Sequence, residues 1–210
     1  MKINNTWSKQ SSKKIFKYFK TIKKKKISII LTGGKSAKNL YKNFYKYIDK
    51  KNKIINFYLT DERLNSRDLN SLMIQKFFLN KFNLLNFKFF KILDNKNLSV
   101  KKNIMNYSNI LPKRPDIIIL SVGDDGHIAS LFPYSNFLDY VLRVKKIFYK
   151  KSLIKYRITI TSKVILSSKK IFVLCPTIKK KYIYNRLIMN NFKYDKKYPA
   201  CILKKATWLI

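Results

Sequence analysis

Four short apolar runs constrain the fold of this chain more than any other feature. They are rich in Ile, Val and aromatic residues and do not alternate with polar residues. The runs are ISIIL (27–31), IINFYL (54–59), DIIIL (116–120) and IFVLC (171–175). Such runs are typical of strands buried on both faces, as in a parallel sheet covered by helices. They predict an α/β fold with a mostly parallel, Rossmann-like sheet flanked by helices.

Helical patterns lie before, between and after these runs. Ile15, Phe16, Phe19 and Ile22 recur at helical spacing among lysines, which predicts an amphipathic helix docked on the protein. A mitochondrial transit peptide is the alternative interpretation. Three further apolar faces are predicted, the first in a helix that has Ser36 as its N-cap. Their members are Ala37, Leu40, Tyr41, Phe44, Tyr47 and Ile48; Leu72, Met73 and Phe77; and Ile178, Tyr182 and Ile183.

The sequence offers no point at which to divide the chain. Strands alternate with helices, there is no internal repeat, and no linker rich in Gly, Pro or Ser separates two halves. Alternation of this kind is typical of one α/β unit. We therefore expect a single domain over residues 1–210.

The charge of the chain is extreme. Lys and Arg number 47 against 10 Asp and Glu, a formal net charge of +37. Such a charge is compatible with nucleic-acid binding. The lysines, however, run from one end to the other rather than forming one arm or face, and a codon bias toward A and T gives the same composition. We favour the second interpretation and expect no specific nucleic-acid partner, although a positive surface attracts anionic substrates.

Several classes of protein do not fit the composition. Cys175 and Cys201 are too few and too far apart for a disulfide scaffold or a metal knuckle, which predicts reduced thiols and a cytoplasmic location. No stretch approaches the roughly 18 apolar residues that a membrane span needs. A single histidine without paired cysteines does not favour a zinc site. We expect neither a membrane segment nor a bound metal.

Polar motifs follow each of the four predicted strands. They are TGGKS (32–36), TDER (60–63), SVGDDGHIASLFP (121–133) and PTIKKK (176–181). All four glycines, the single histidine and the single glutamate of the chain lie within the first three of them. In open α/β sheets, ligands bind at the carboxyl ends of the strands. We therefore expect these motifs to converge on one edge of the sheet.

The first two motifs predict anion binding. Gly33 and Gly34 before a helix that begins near Ser36 have the character of an anion cradle. They match neither the Walker A pattern nor the dinucleotide fingerprint, and an ordinary turn with a helix cap is the alternative. Arg63 offers a planar fork suited to carboxylate or phosphate oxygens. The alternative for Arg63 is a surface ion-pair cluster with Asp61 and Glu62.

The third motif predicts proton transfer. In Asp124-Asp125-Gly126-His127, a carboxylate next to the imidazole can orient the ring and favour its charged form. The alternatives are a histidine that holds the loop and a metal ligand. No G-x-S-x-G elbow is present, so a serine-nucleophile mechanism lacks its signature.

Together the motifs resemble those of the 6-phosphogluconolactonases, within a group that includes the glucosamine-6-phosphate deaminases. The specific match is DIIILSVGDDGHIASLFP (116–133). It is accompanied by LTGGKSAKNLY (31–41), LTDERLNSRDLNSLM (59–73), RITIT (157–161) and YPACIL (198–203), with Trp208 near the end. Deaminases of the group carry Tyr where this chain has Arg63. They also have Phe-Asn-Glu where it reads Ser-Leu-Phe-Pro (130–133), so the lactonase is favoured.

The chain departs from that family's pattern where phosphate is held. It has Lys35-Ser36-Ala37 where the family has Ser-Thr-Pro, and it is one residue short after Arg63. The glycine of a G-x-x-K pattern is Thr177 here, which leaves Lys180 in register between Lys179 and Lys181.

The resemblance implies a carboxylic-ester hydrolase that converts 6-phospho-D-glucono-1,5-lactone to 6-phosphogluconate in the oxidative pentose phosphate pathway. His127 is the implied general base, oriented by Asp125 or Asp124, and neither a cofactor nor a metal is implied. The residues expected to bind the phosphorylated lactone are Gly33, Gly34, Lys35, Ser36, Asp61, Arg63, Gly123, Gly126 and Lys180.

Some assignments stay open. Arg63 could face the developing oxyanion rather than the phosphate, and Lys179 or Lys181 could replace Lys180. We expect a monomer. The alternative functions are a sugar-phosphate deaminase or isomerase of the same group and a basic nucleic-acid-binding protein.

Overall fold

A computed structural model describes residues 4–48, 53–81, 86–95 and 97–210 of the chain. The helices it contains are α1 (Asn5–Thr21), α2 (Gly34–Phe44), α3 (Asn70–Phe77), α4 (Val100–Ile110), α5 (Ser162–Ser167) and α6 (Ile178–Met189). The strands are β1 (Lys26–Leu31), β2 (Ile54–Leu59), β3 (Asp61–Arg63), β4 (Phe87–Phe89), β5 (Ile117–Ser121), β6 (Val144–Phe148), β7 (Tyr156–Ile160), β8 (Ile171–Leu174) and β9 (Thr207–Leu209). Short 3₁₀ helices cover Leu79–Lys81 and Pro199–Leu203.

The centre of the molecule is a six-stranded sheet in the order β4-β2-β1-β5-β8-β9. All its strand pairs are parallel. The four apolar runs form its four inner strands, so the predicted parallel α/β architecture is confirmed. Every residue of β1 and β2 after the first is buried, as expected for strands that are covered on both faces.

The topology places a crevice between β1 and β5. From β1 the chain moves outward through β2 to β4, and it then returns to β5 and moves outward in the other direction through β8 to β9. Such a reversal leaves room for a ligand at the carboxyl ends of the two central strands. TGGKS (32–36) follows β1 and SVGDDGH (121–127) follows β5, so both motifs border this crevice.

A second, antiparallel sheet was not predicted. It has the order β3-β7-β6, and β3 continues from β2 after a single residue, Thr60. The Thr60 backbone links the two sheets, because its N–H donates to Leu31 O (2.9 Å) and its carbonyl accepts from Ile160 N (2.8 Å). The second sheet therefore extends directly from the carboxyl edge of the first.

The predicted N-terminal helix is confirmed as α1. Asn4 caps it by accepting a hydrogen bond from Thr6 N (2.9 Å), and Ile15 and Phe19 are fully buried. Its contacts are mainly with α2. No helix among the described residues combines the length and apolar character that a membrane-spanning segment needs.

Three details of the helix predictions are wrong. α2 begins at Gly34 after Gly33, so Ser36 lies in its first turn and is not the N-cap. Leu72 is exposed, because α3 turns Ile74 inward instead. In α6 the buried pair is Ile183 and Leu187, whereas Ile178 and Tyr182 are exposed. An apolar pattern alone did not fix which side of these helices packs on the sheet.

Candidate active site

A cleft of about 1420 Å³ opens at the carboxyl edge of the central sheet. It is lined by most of the predicted site residues, which are Gly33, Gly34, Lys35, Ser36, Asp61, Arg63, Gly123, Asp124, His127 and Lys180. The structure thus brings the imidazole, the paired glycines and the cationic side chains into one crevice. Two predicted residues, Asp125 and Gly126, lie outside the lining.

Asp125 lies behind the cleft lining and contacts His127. Its Oδ1 lies 2.6 Å from Nδ1 of the imidazole and accepts the backbone N–H of His127 at 3.1 Å. Burial opposes the charged form of Asp125, but the hydrogen bonds and charge of His127 outweigh it and hold the pKa of this carboxyl below its usual value. A carboxylate on Nδ1 favours the tautomer whose Nε2 is free to accept a proton. Of the two candidate aspartates, the geometry favours Asp125 as the orienting group.

Two glycines shape the turn that carries His127. Gly123 N donates to His127 O (2.8 Å), and a Cβ on Gly123 would lie 2.2 Å from Nδ1 of the imidazole. Gly126 has φ +87° and packs against Tyr198, which is why it lies outside the cleft. The structure places Gly126 in the turn, and its role in substrate binding stays a prediction.

Lys180 lies between the two central motifs. Its Nζ donates to Ser36 Oγ (3.1 Å) in the first turn of α2 and to Ser121 Oγ (2.8 Å) at the end of β5. Burial lowers the pKa of Lys180, while the carboxylates of Asp124 and Asp125 oppose this shift. Among the three candidate lysines, Lys179 also lines the cleft, but Lys180 is the one fixed between the two central motifs.

The glycine-rich turn presents backbone to the cleft. Gly34 has φ +88° and opens α2, so the N–H groups of the first turn of this helix have no partners within the helix. Together with Lys180 they make a site suited to a phosphate. Lys35 stands where the family that the motifs resemble has a serine, and it adds a further cation to the lining of the cleft.

The three residues of the DER segment (61–63) make different contacts. Asp61 is buried and accepts hydrogen bonds from Thr60 Oγ1 (2.7 Å) and Ser130 Oγ (2.8 Å), which makes it a structural acceptor in the wall of the cleft. Glu62 accepts from the backbone N–H groups of Asn70 (2.7 Å) and Ser71 (2.9 Å) at the start of α3. Burial raises the pKa of Glu62, and these N–H groups oppose the shift.

Arg63 lines the cleft together with Asp61. Its Nη1 donates to the backbone carbonyl of Asp68 (2.9 Å) and to the Asp68 carboxylate. Its side chain is 19% exposed. Arg63 therefore pairs with Asp68 and not with Asp61 or Glu62, and it also lines the cleft.

The residues that line the cleft without a role in the sequence-based prediction include Asn70, Ser121 and Arg157. Arg157 lies in β7, in the sheet that was not predicted, although it opens the RITIT segment. Asn70 belongs to LTDERLNSRDLNSLM. For Asn70 and Arg157, the signal available in the sequence was a polar residue within a segment that resembles the family. In the described ranges no three His, Cys, Asp or Glu side chains are placed to hold a metal ion.

The fold and the cleft define a class: an α/β protein that carries an imidazole, a glycine-rich turn and cationic side chains at its switch point. The chain belongs to the family described as glucosamine-6-phosphate isomerases/6-phosphogluconolactonase, whose model matches residues 6–209.

Individual relatives agree with this membership. The 6-phosphogluconolactonase of Borreliella burgdorferi is 31% identical over 195 residues, covering 87% of this chain and 81% of that protein. A relative from Dictyostelium discoideum is 35% identical over 119 residues, which are 51% of this chain and 50% of that protein. The solved 6-phosphogluconolactonase of Plasmodium vivax shares the fold, with a TM-score of 0.80 at 21% identity over 98% of this chain and 87% of that one.

Proposed function

We propose that this protein hydrolyses 6-phospho-D-glucono-1,5-lactone to 6-phosphogluconate, in the oxidative pentose phosphate pathway. The observation that carries the proposal is the cleft that holds the His127–Asp125 pair and the Lys180 anion site together. The named relatives support the choice of substrate. Arg63 in place of tyrosine favours the lactonase over the deaminase of the same family.

The arrangement supports a water-mediated mechanism. Lys180 and the first turn of α2 bind the phosphate, and this fixes the lactone ring in the cleft. His127 Nε2 takes a proton from a water as its oxygen attacks C1, and Asp125 stabilises the imidazolium that forms. The C1–O5 bond then breaks, and O5 takes the proton from the imidazolium. The products are a carboxylic acid, which ionises, and a free C5 hydroxyl.

The direct test is a lactonase assay with freshly generated 6-phosphogluconolactone. We expect His127→Ala to lower kcat by roughly 10²–10⁴, the range for loss of an acid–base group, while the fold is retained. Spontaneous hydrolysis of the lactone must be subtracted. A variant rate near that of the parent would remove His127 from the mechanism. Ammonia release from glucosamine 6-phosphate by the parent would assign it the other activity of the family.

Three further predictions belong to this proposal. We propose that residues 1–210 act as one lactonase domain, that the protein is a monomer, and that it works in the cytoplasm. A core shared by both sheets supports the first, and the free state of Cys175 and Cys201 is compatible with the last. Size-exclusion chromatography with light scattering tests the second.

A further inference from the structure

Two arginines stand side by side in the wall of the cleft. Arg63 of β3 and Arg157 of β7 are directly paired across the antiparallel register, and both line the cleft. Their side chains are only 19% and 15% exposed. Like charges placed directly opposite destabilise a sheet. Burial lowers the pKa of Arg157, Asp61 opposes this shift, and the charge of Arg63 adds to it.

In the part of the chain that the structure describes, the neighbouring carboxylates leave some N–H donors of the two arginines without a hydrogen-bond partner. Asp61 Oδ2 lies 4.0 Å from Nη1 of Arg157, too far for a hydrogen bond, and accepts from Ser130 instead. Across the residues that the structure describes, Nη1 of Arg157 makes no hydrogen bond. Within the same residues, the buried Nε of Arg63 also has no partner. Two guanidinium groups that both line the cleft are suited to an oxyanion.

The other donors of Arg157 fix its position. Nη2 donates to Ser152 Oγ (3.0 Å) and Nε to the carbonyl of Ile154 (3.4 Å). The guanidinium is thereby anchored to the segment before β7, while Nη1 stays available. Such an anchored donor costs little reorganisation when charge develops nearby.

Phe132 places this pair beside the imidazole. Its ring centroid is 5.1 Å from that of His127 and 5.5 Å from the guanidinium carbon of Arg157. Tyr149 stacks on the same ring at 4.0 Å. Arg157 and His127 therefore contact one shared ring, whereas Lys180 is held by Ser36 and Ser121. The two cations are therefore held by different segments of the chain.

We infer that Arg157, together with Arg63, forms a second anion subsite that binds the C1 end of the sugar. It would stabilise the C1 oxygen as the tetrahedral oxyanion forms and then hold the carboxylate of 6-phosphogluconate. The inference rests on the proposed lactonase function and leaves the phosphate to Lys180. It gives Arg157 a role in substrate binding, and it places Arg63 on the side of the cleft where the oxyanion forms.

A pair of ligands separates the two subsites. 6-Phosphogluconate carries both a phosphate and a carboxylate, whereas glucitol 6-phosphate has the same carbon chain without the carboxylate. For Arg157→Gln we expect the Kd of 6-phosphogluconate, measured by calorimetry at fixed ionic strength, to rise about 10- to 100-fold, as for a lost charge-assisted hydrogen bond. The Kd of glucitol 6-phosphate should stay within about twofold of the parent value.

Two control variants define the comparison. Lys180→Gln should weaken both ligands, because both carry the phosphate. Arg186→Gln removes the same charge from an exposed site on α6 outside the cleft lining, and it should leave both affinities unchanged.

Arg157→Lys keeps the charge without the planar fork. It should show the same ligand preference with a smaller loss, and it replaces Arg157→Gln in the test if the latter fails to fold.

The outcomes are distinct. Equal weakening of both ligands, or of neither, would overturn the subsite. If the parent hydrolyses the lactone and Arg157→Gln still binds both ligands as the parent does, the subsite is wrong while the function stands. If the parent has no lactonase activity but the ligand-selective loss occurs, the subsite stands and the proposed function fails.

Discussion

The amide of Asn70 determines which residue can occupy the glycine-rich turn. Its Nδ2 donates to the backbone carbonyl of Asp61 (3.0 Å), and its Oδ1 lies 1.9 Å from the position that a Cβ on Gly33 would take. A Cβ on Gly33 would therefore have to displace the Asn70 amide, whereas Gly34 is favoured by its φ of +88° and has open space around it. The contact couples the phosphate turn to the segment that carries Arg63.

This coupling gives a prediction for Gly33→Ala. The new methyl group must displace Asn70 or the turn, so we expect the free energy of unfolding to fall by about 1–3 kcal/mol, the range for overpacking. KM for the phosphorylated lactone should rise about tenfold or more, because binding of the phosphate is lost. Urea unfolding and steady-state kinetics measure the two effects.

A double mutant tests whether the clash with Asn70 causes these two losses. Asn70→Ala combined with Gly33→Ala removes the clash, so part of both losses should be recovered as a favourable coupling energy. Gly34→Ala should show no such coupling to Asn70, because its cost is backbone strain. If Gly33→Ala costs the same with and without Asn70, the close approach does not explain the glycine.

At the scale of secondary structure elements, Asp116 joins the two strands that flank the crevice. Its buried carboxylate accepts from Ser28 N (2.9 Å) and Ser28 Oγ (2.8 Å) of β1. It also pairs with Lys24 (2.6 Å) and Lys169 (3.2 Å). Because Asp116 directly precedes β5, it fixes β1 and β5 at the edge opposite the cleft. The switch point thus has a polar clamp at one end and the functional motifs at the other.

We expect Asp116→Asn to lower the free energy of unfolding at neutral pH by about 1–3 kcal/mol, since hydrogen bonds to a buried charge are lost. Burial raises the pKa of Asp116, but Lys24, Ser28 and Lys169 outweigh it and hold the pKa below its usual value. A depressed pKa in the folded state stabilises the protein above the pKa of the unfolded state. That contribution is lost as the pH falls through the folded pKa.

The difference between parent and Asp116→Asn should therefore shrink as the pH falls below about 4, the ordinary pKa of an aspartate. Urea unfolding across acidic and neutral pH measures it. Asp139→Asn, the same change at an exposed carboxyl without an ion pair among the described residues, should cost little at any pH. A constant deficit for Asp116→Asn would show that the charge of this carboxyl is not what joins the strands.

The sequence predicted elements best where burial was complete. The four inner strands were recognised because they are uniformly apolar, and the motifs that follow them were correctly expected at one edge. Strands of three residues, such as β4 and β9, carry no periodicity, and the antiparallel sheet depends on long-range pairing. Arg157 was missed for that reason. The misplaced faces of α3 and α6 reflect tertiary packing that overrides a local apolar pattern.

At the scale of the whole molecule, the dominant property is the net charge of +37. The cleft shares in it, since Lys38, Lys42 and Lys179 line the cleft in addition to the residues assigned to binding. A field of this sign raises the local concentration of a dianionic substrate. It also makes the folded chain repel itself. Added salt screens both effects, so it should weaken substrate capture and stabilise the fold.

Raising the salt concentration from about 20 mM to about 200 mM shortens the Debye length from roughly 20 Å to below 10 Å. We expect KM for 6-phosphogluconolactone to rise about 3- to 10-fold with little change in kcat, because steering is lost and the chemistry is not. Tm should rise over the same range. The uncharged comparator is glucono-1,5-lactone, whose slower hydrolysis by this protein should not respond to salt. A KM that is independent of salt would mean that the lysines do not attract the substrate and reflect only the composition of the chain. A fall in Tm would mean that ion pairs such as Lys24–Asp116 stabilise the fold more than the repulsion between lysines destabilises it.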